Sequence, residues 1–473
     1  MEAISTDPAQ LLRLAYAEDR FDAALAAQAV AQLLEQGELE TLKAWFEQAL
    51  AADVADALDR LEPDQLTAAL PLIPESELAR VFGYLPLERQ TQLAAGMSHA
   101  AVARLLGRMS SDERVDLFNT LPEDRRRRLL PALAQAERED IRRLADYEEG
   151  TVGAIMTSEY ATLSPDLTAA EAIEELRRVA PDRETIYNAY VIDDERRLLG
   201  VTTLRRLILA DPDTRVGDMM ESNPVTAYAD DEQIEAAEKI ARYDFIALPV
   251  IDRDRRMVGI VTADDAMDVV EGEVTEDFHK AGGSLGLVAY SMKDATVSVL
   301  YRHRVFWLVL LVFANIFSGA GIAFFEELIS SHVALVFFLP LLIAGGGNAG
   351  SQAATLMVRA LATGDVEQRD WTTMLGRELA VAGLLGLTTA LAVSLIGLVR
   401  GGPAIALVVA LTMQIVVVVG SLIGMSLPFL LSRFNADPAS ASSPLVTTIA
   451  DGVGVLIYFT IASWLLPGLT GSG

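Results

Sequence analysis

The chain contains no cysteine and only four histidines, scattered at His99, His279, His303 and His332. The first absence excludes disulfides, thiolate catalysis and sulfur-ligated metals, and the second leaves a zinc site little to work with. Positive charge is also scarce. Against 66 Asp and Glu there are 38 Lys and Arg, a formal net charge of −28, and a surplus of that sign repels nucleic acid and attracts cations. The deficit is uneven: from residue 301 onward seven Arg face eight acids, so the first 300 residues carry −27. The opening MEAISTDPAQ has neither a basic start nor an apolar core, so no signal peptide is expected and the beginning of the chain is expected to stay in the cytoplasm. No Walker-type phosphate loop is present, and no nucleophile, base and orienting group fall at recognisable spacing, so an enzyme is not expected.

What is abundant is apolar sequence near the end of the chain. Five stretches, 305–325, 334–357, 379–399, 404–431 and 444–466, each reach the roughly 20 residues that a helix needs to cross a bilayer core. Arg302, Arg304, Arg359, Arg369, Arg377 and Arg433 fall on one side of such a membrane and only Arg400 on the other, which predicts a cytoplasmic N-terminus and an extracytoplasmic C-terminus. Within these stretches the one ionisable residue is Asp451, with no basic residue to pair with it. A carboxylate in hydrocarbon is costly and persists where it meets water, an ion or an opposite charge, so an ion site is the favoured reading and a side chain reaching for a headgroup the alternative. The run GGGNAGSQAAT at 345–355 predicts an unwound helix with exposed carbonyl oxygens, and Asn348, Gln352 and Thr355 add neutral oxygens. Close helix packing is the competing explanation.

Residues 1–145 read as short helices punctuated at near-regular spacing by Leu61-Glu62-Pro63, Leu72-Ile73-Pro74, Leu85-Pro86, Met109-Ser110 and Leu121-Pro122, a small helical solenoid. Residues 146–272 read as a duplicated α/β unit, each copy opening on a methionine step (GAIMTSEY, GDMMESNP); Val191 and Val250, like Gly200 and Gly259, are 59 residues apart. Acids then crowd at Asp264, Asp265, Asp268, Glu271, Glu273, Glu276 and Asp277, with Asp244 before them. Carboxylates without sulfur or imidazole suit hard cations, of which magnesium is abundant in cytoplasm, although a plain solvated acidic face has the same pattern. Residues 285–304 predict a connecting amphipathic helix, the core of a 273–304 connector, ahead of a membrane domain at 305–473.

The duplicated unit resembles a tandem pair of CBS modules, a fold that commonly binds adenine nucleotides. The second copy keeps the Gly-x-x-Thr-x-x-Asp pattern from Gly259 through Thr262 to Asp265, whereas the first places Arg206 where the acid belongs. The whole order of parts, with GGNAGSQAATL at 346–356, RALAT at 359–363, SPLVTTIAD at 443–451, YDF at 243–245 and TEDFHK at 275–280, resembles the MgtE family of magnesium channels. The resemblance implies a multidomain membrane protein with an N-terminal α-helical solenoid, a tandem CBS (α/β) pair, a connecting amphipathic helix and a five-helix transmembrane domain. It implies a homodimer in the bacterial inner membrane with a pore on the two-fold axis, where Asp451, and secondarily Asn348, would hold a largely hydrated Mg2+. It also assigns regulatory Mg2+ to Asp112, Asp116, Asp244, Asp265, Asp268, Glu273, Glu276, Asp277 and Asp437; a further position that is acidic in relatives is Arg80 here. Asp265, Arg205 and Phe245 are the candidate residues for ATP or another adenine nucleotide. The implied activity is a channel that cytoplasmic Mg2+ closes. An ion-coupled secondary transporter and a membrane-tethered nucleotide sensor are the alternative readings.

Overall fold

The computed structural model describes residues 8–16, 21–283, 296–434 and 436–469. It divides into two compact units, Met1–Val270 and Glu271–Gly473.

The first unit begins with short helices, among them Pro63–Ala69, Glu75–Gly83, Leu87–Gly96, His99–Leu106, Ser111–Thr120, Glu123–Leu129 and Gln135–Leu144. The breaks between them follow a strict count. Leu61, Ile73, Leu85, Met109, Leu121 and Leu133 are buried, each a multiple of twelve residues from the others, and half-buried Met97 completes the series. Ser98, Ser110 and Ala134 are the N-caps after Met97, Met109 and Leu133, and at the other breaks the cause is a proline. Pro63 sits in the first turn of its helix, and Pro74, Pro86 and Pro122 occupy the N-cap of theirs. Proline there ends the preceding helix at no cost in hydrogen bonds to the next, and the apolar residue before it turns inward. Each such leucine contributes about 1.5–3 kcal/mol by its burial.

The duplicated unit forms two small sheets. In the first, β1 (Tyr160–Leu163), β2 (Thr185–Ile192), β3 (Leu198–Thr203) and β4 (Glu221–Ser222) lie in that order; in the second, β5 (Ala227–Tyr228), β6 (Ala247–Ile251) and β7 (Met257–Thr262) do. The 59-residue repeat is a repeat of register, because Val191 pairs with Gly200 and Val250 with Gly259. Both glycines are needed for the same reason: a Cβ on Gly259 would stand 2.6 Å from the Met156 sulfur, and one on Gly200 would stand 2.7 Å from that of Met220. The methionine steps are thus exchanged, each lying on the copy to which it does not lead. Two backbone bonds between Thr157 and Ile260, of 2.9 and 3.0 Å, fix the exchange.

A buried Arg114 fastens the solenoid to the duplicated unit. Its guanidinium donates to the Leu106 and Met109 carbonyls at 2.7 Å each and faces Asp140 at 3.5 Å and Glu159 at 3.3 Å. Ser158 donates to Asp140, and its own N–H donates to Ser111, at 2.8 Å each. A buried arginine is tolerable only with its donors met in this way.

The second unit is built from apolar helices. Among the described residues four are long and apolar enough to cross a membrane: Val297–Phe324, Ala334–Ala362, Gln368–Arg433 and Ser443–Leu466. A straight helix over Trp371–Arg433 would measure about 95 Å, some three times a bilayer core. The chain instead reverses at Gly402, which has φ 77° and ψ −178°. The two arms lie antiparallel. A Cβ on Gly397 would stand 2.7 Å from the Ala406 Cα, Gln414 donates to the Gly383 carbonyl at 3.2 Å, and Ser421 donates to Glu378 at 2.6 Å. Glycine supplies the positive φ at the bend without a Cβ penalty.

Two expectations are corrected here. The glycine run does not unwind its helix: Ala334–Ala362 is continuous. Gly346 and Gly350 instead meet Gly420 and Gly424 across two GxxxG faces, where a Cβ on Gly424 would stand 1.9 Å from the Gly350 carbonyl oxygen and one on Gly420 2.3 Å from that of Gly346. Without side chains the backbones approach closely, and that packing is what the glycines serve. The connecting helix also differs. Residues 297–304 are the first turns of the apolar helix Val297–Ala314, because no Gly or Pro interrupts them; the rest of that expected helix, 285–295, lies outside the described residues.

A Gly424→Val variant is expected to lose most of its folded population, since overpacking against rigid backbone costs about 1–3 kcal/mol or more. Gly383→Ala, with nothing within 4 Å of its Cβ position, should be neutral. Fluorescence-detected size exclusion after heating compares the two.

Candidate ion path and regulatory acids

On the last helix, Ser443–Leu469, the residues Ser443, Thr447 and Asp451 are spaced by four and share a face. That face lies against the glycine run. A Cβ on Gly347 would meet the Thr447 methyl at 2.9 Å and Asp451 Oδ1 at 3.4 Å. Ser351 hydrogen-bonds Thr447 at 3.1 Å and receives a bond from Ser443 at 2.9 Å. Hydroxyls therefore line the way from the start of the helix down to Asp451. Asp451 Oδ1 itself is buried without a hydrogen-bond partner, and among the described residues no basic group pairs with it. Asn348 and Gln352 are exposed on the neighbouring helix, one turn apart. An acceptor-rich face with an unmatched negative charge suits a cation.

Glu378 went unnoticed in the sequence because it precedes the 379–399 apolar stretch by one residue. The helix extends past that stretch, and the Ser421 hydroxyl reaches this carboxylate from the opposite arm.

The regulatory candidates fall into two groups. In the first unit, Asp112 and Asp116 lie on Ser111–Thr120, and Asp265 lies in the first turn of Ala263–Ala281, where it accepts a hydrogen bond from Thr262. Burial, then repulsion from Asp265 and Glu113, holds the Asp112 carboxyl well above the usual range. Burial also pushes Asp265 up to about 6, against the pull of the Thr262 hydroxyl. Asp112 Oδ1 is another buried oxygen without a partner. Asp268 lies one turn beyond Asp265. Asp244 stands apart as the left-handed C-cap of Gln233–Tyr243, with φ 54°, and is exposed.

The second unit holds Glu273, Glu276 and Asp277 near the end of the acidic helix, with Asp437 at the N-cap of the short turn Pro438–Ser440. Burial, then the neighbouring acids, raises the carboxyls of Glu273 and Asp277. Lys280 enters this group: its ammonium lies 2.6 Å from Glu276 and 2.5 Å from Asp437. Its signal in the sequence was the four-residue spacing from Glu276 within TEDFHK. Among the described residues no three acids or histidines gather closely enough to hold a metal ion.

The three nucleotide candidates are not brought together. Arg205, with Arg206, lines a cavity of about 560 Å³ beside Thr203, Leu209 and Glu221. Asp265 and Phe245 are not among its lining residues; Phe245 stacks on Tyr243 with ring centroids 5.5 Å apart.

Comparison with known proteins accounts for most of the chain. Residues 339–461 match the MgtE family described as divalent cation transporters, residues 50–150 match the MgtE intracellular N domain, and residues 152–213 and 216–272 match CBS domains. The chain is thus a membrane transporter of the divalent-cation class with an attached CBS pair. It is 38% identical over 444 residues to magnesium transporter MgtE of Thermus thermophilus, covering 93% of this chain and 98% of that one. To magnesium transporter MgtE of Bacillus subtilis it is 31% identical over 432 residues, 88% and 95% of the two chains. A solved structure of the cytosolic domain of the Mg2+ channel MgtE in complex with ATP is similar at 36% identity, covering 51% of this chain and 99% of that one with a TM-score of 0.49. The chain belongs to the MgtE family.

Proposed function

We propose that this protein is a homodimeric channel importing Mg2+ across the bacterial inner membrane, closed by Mg2+ binding to its cytoplasmic acids. The supporting observation is Asp451, whose buried oxygen lacks a partner beside Gly347 and beneath the hydroxyls of Thr447, Ser351 and Ser443. A second copy would bring a second carboxylate and the exposed Asn348 and Gln352 to the same axis. If the bend at Gly402 is a turn between two crossings, the long helices would cross five times, which supports the reading of a cytoplasmic N-terminus and an extracytoplasmic C-terminus. Regulation falls to Asp112, Asp116 and Asp265 in one group and to Glu273, Glu276, Asp277 and Asp437 in the other, with Asp244 and Asp268 as further ligands. When magnesium is scarce these carboxylates repel one another and the closed form is lost; when it is plentiful it binds that form preferentially, as coupling requires. ATP or a related nucleotide is a second proposed ligand, at the Arg205 cavity.

Ion flux into vesicles reconstituted with the full chain tests this reading. Mg2+ entry should fall as Mg2+ on the cytoplasmic face rises, with unitary currents in single-channel recording. Glu378, a second carboxylate on an apolar helix, favours an ion-coupled transporter as the other reading; flux that stops when a proton or sodium gradient is collapsed would select it.

A further inference from the structure

We infer that Lys280 is a tethered competitor for regulatory magnesium, its ammonium occupying the place between Glu276 and Asp437 from which a divalent ion must displace it. The inference rests on the proposed role of those two acids in gating. Its basis is geometric. The ammonium contacts both carboxylates at once, 2.6 Å to Glu276 and 2.5 Å to Asp437, with the lysine side chain only 20% exposed. Glu276 and Lys280 are one helical turn apart, but Asp437 arrives from the turn that precedes the last helix. The lysine therefore ties the end of the acidic helix to the segment leading into the helix of Asp451.

Charge makes this link replaceable. Glu273 and Asp277 feel the charge of Asp437 as well as that of Lys280, so two carboxylates hold the ammonium and two more lie within reach of its field, a formal net charge of −3 for the five groups. A lysine ammonium is a compact, strongly hydrated point charge on a flexible stem; it can bridge two carboxylates and leave without breaking the backbone. Magnesium carries twice the charge and also binds through one or two carboxylates with its waters. A competitor held by the chain acts at a high effective concentration and so raises the magnesium level at which the exchange occurs. In this account Lys280 sets the threshold of the gate.

The test is a magnesium titration of the full chain in vesicles, reading flux against Mg2+ on the cytoplasmic face for the wild type, Lys280→Gln and Lys280→Arg. Removing one unit charge a few ångströms from a divalent ion should move the midpoint for Lys280→Gln about tenfold lower, while Lys280→Arg stays near the wild type. A midpoint for Lys280→Gln that is unchanged or higher would make Lys280 a static strut and overturn the inference. If the wild type itself shows no dependence on cytoplasmic Mg2+, the gating reading fails instead. Lys280→Met, a second neutral variant, is titrated beside it, and protection of the full chain from protease over the same Mg2+ range must give the same order of midpoints.

Discussion

Asp451→Asn and Asp451→Ala will each reduce magnesium flux by at least about 100-fold, with no loss of folded protein. A divalent ion held through one layer of water, about 5 Å from a carboxylate at an effective dielectric of about 20, gains about 7 kcal/mol before any dehydration cost. If less than half of that survives, the loss on removing the charge is still about 100-fold. Stability should move the other way, because Asp451 Oδ1 has no hydrogen-bond partner to lose and a neutral side chain is easier to bury. Thr447→Ala and Ser351→Ala, which remove one hydroxyl each from the adjoining face, should cost much less. Vesicle flux and thermal unfolding on the same preparations separate an ion site from a structural residue: a purely structural Asp451 would show both properties falling together.

The parts that were legible in the sequence are those written in periods. The 59-residue repeat of the CBS pair survives as a repeat of strand register at Gly200 and Gly259, and lone Asp451 stood out because everything around it is apolar. What could not be read depends on contacts between distant segments. Gly345–Gly347 signalled either unwinding or packing, and only the approach of Gly420 and Gly424 decides for packing. That Met156 lies on Gly259, and not on its own copy, is likewise a tertiary fact. Arg114 reads as one more charge on a polar helix until Leu106, Met109, Asp140 and Glu159 close around it. Glu378 was hidden by counting apolar residues, since a helix does not stop where its hydrophobic stretch does.

The double variant Asp112→Asn, Asp265→Asn will leave flux nearly insensitive to cytoplasmic magnesium, over concentrations that shut the wild type. Moving a gate from one part open in a hundred to ninety-nine requires the ion to prefer one state by about 10⁴, and removing two of its charged ligands takes away much of that preference. The same pair gives a signature in pH. Burial raises both carboxyls above the ordinary aspartate range, Asp265 to about 6. Between those limits the folded protein binds more protons than the unfolded one, so without divalent ions its stability should fall as pH rises from 4 to beyond 6. Above that range both groups are charged, and the strain is fully present until magnesium neutralises it. Thermal unfolding of the full chain in chelator should therefore show a midpoint that drops from pH 5 to pH 8 in the wild type and stays flatter in the double variant. Magnesium at pH 8 should restore the wild type alone. A wild-type midpoint that rose with pH would mean that these acids are already paired with positive charge, leaving no reason for a divalent ion to bind between them.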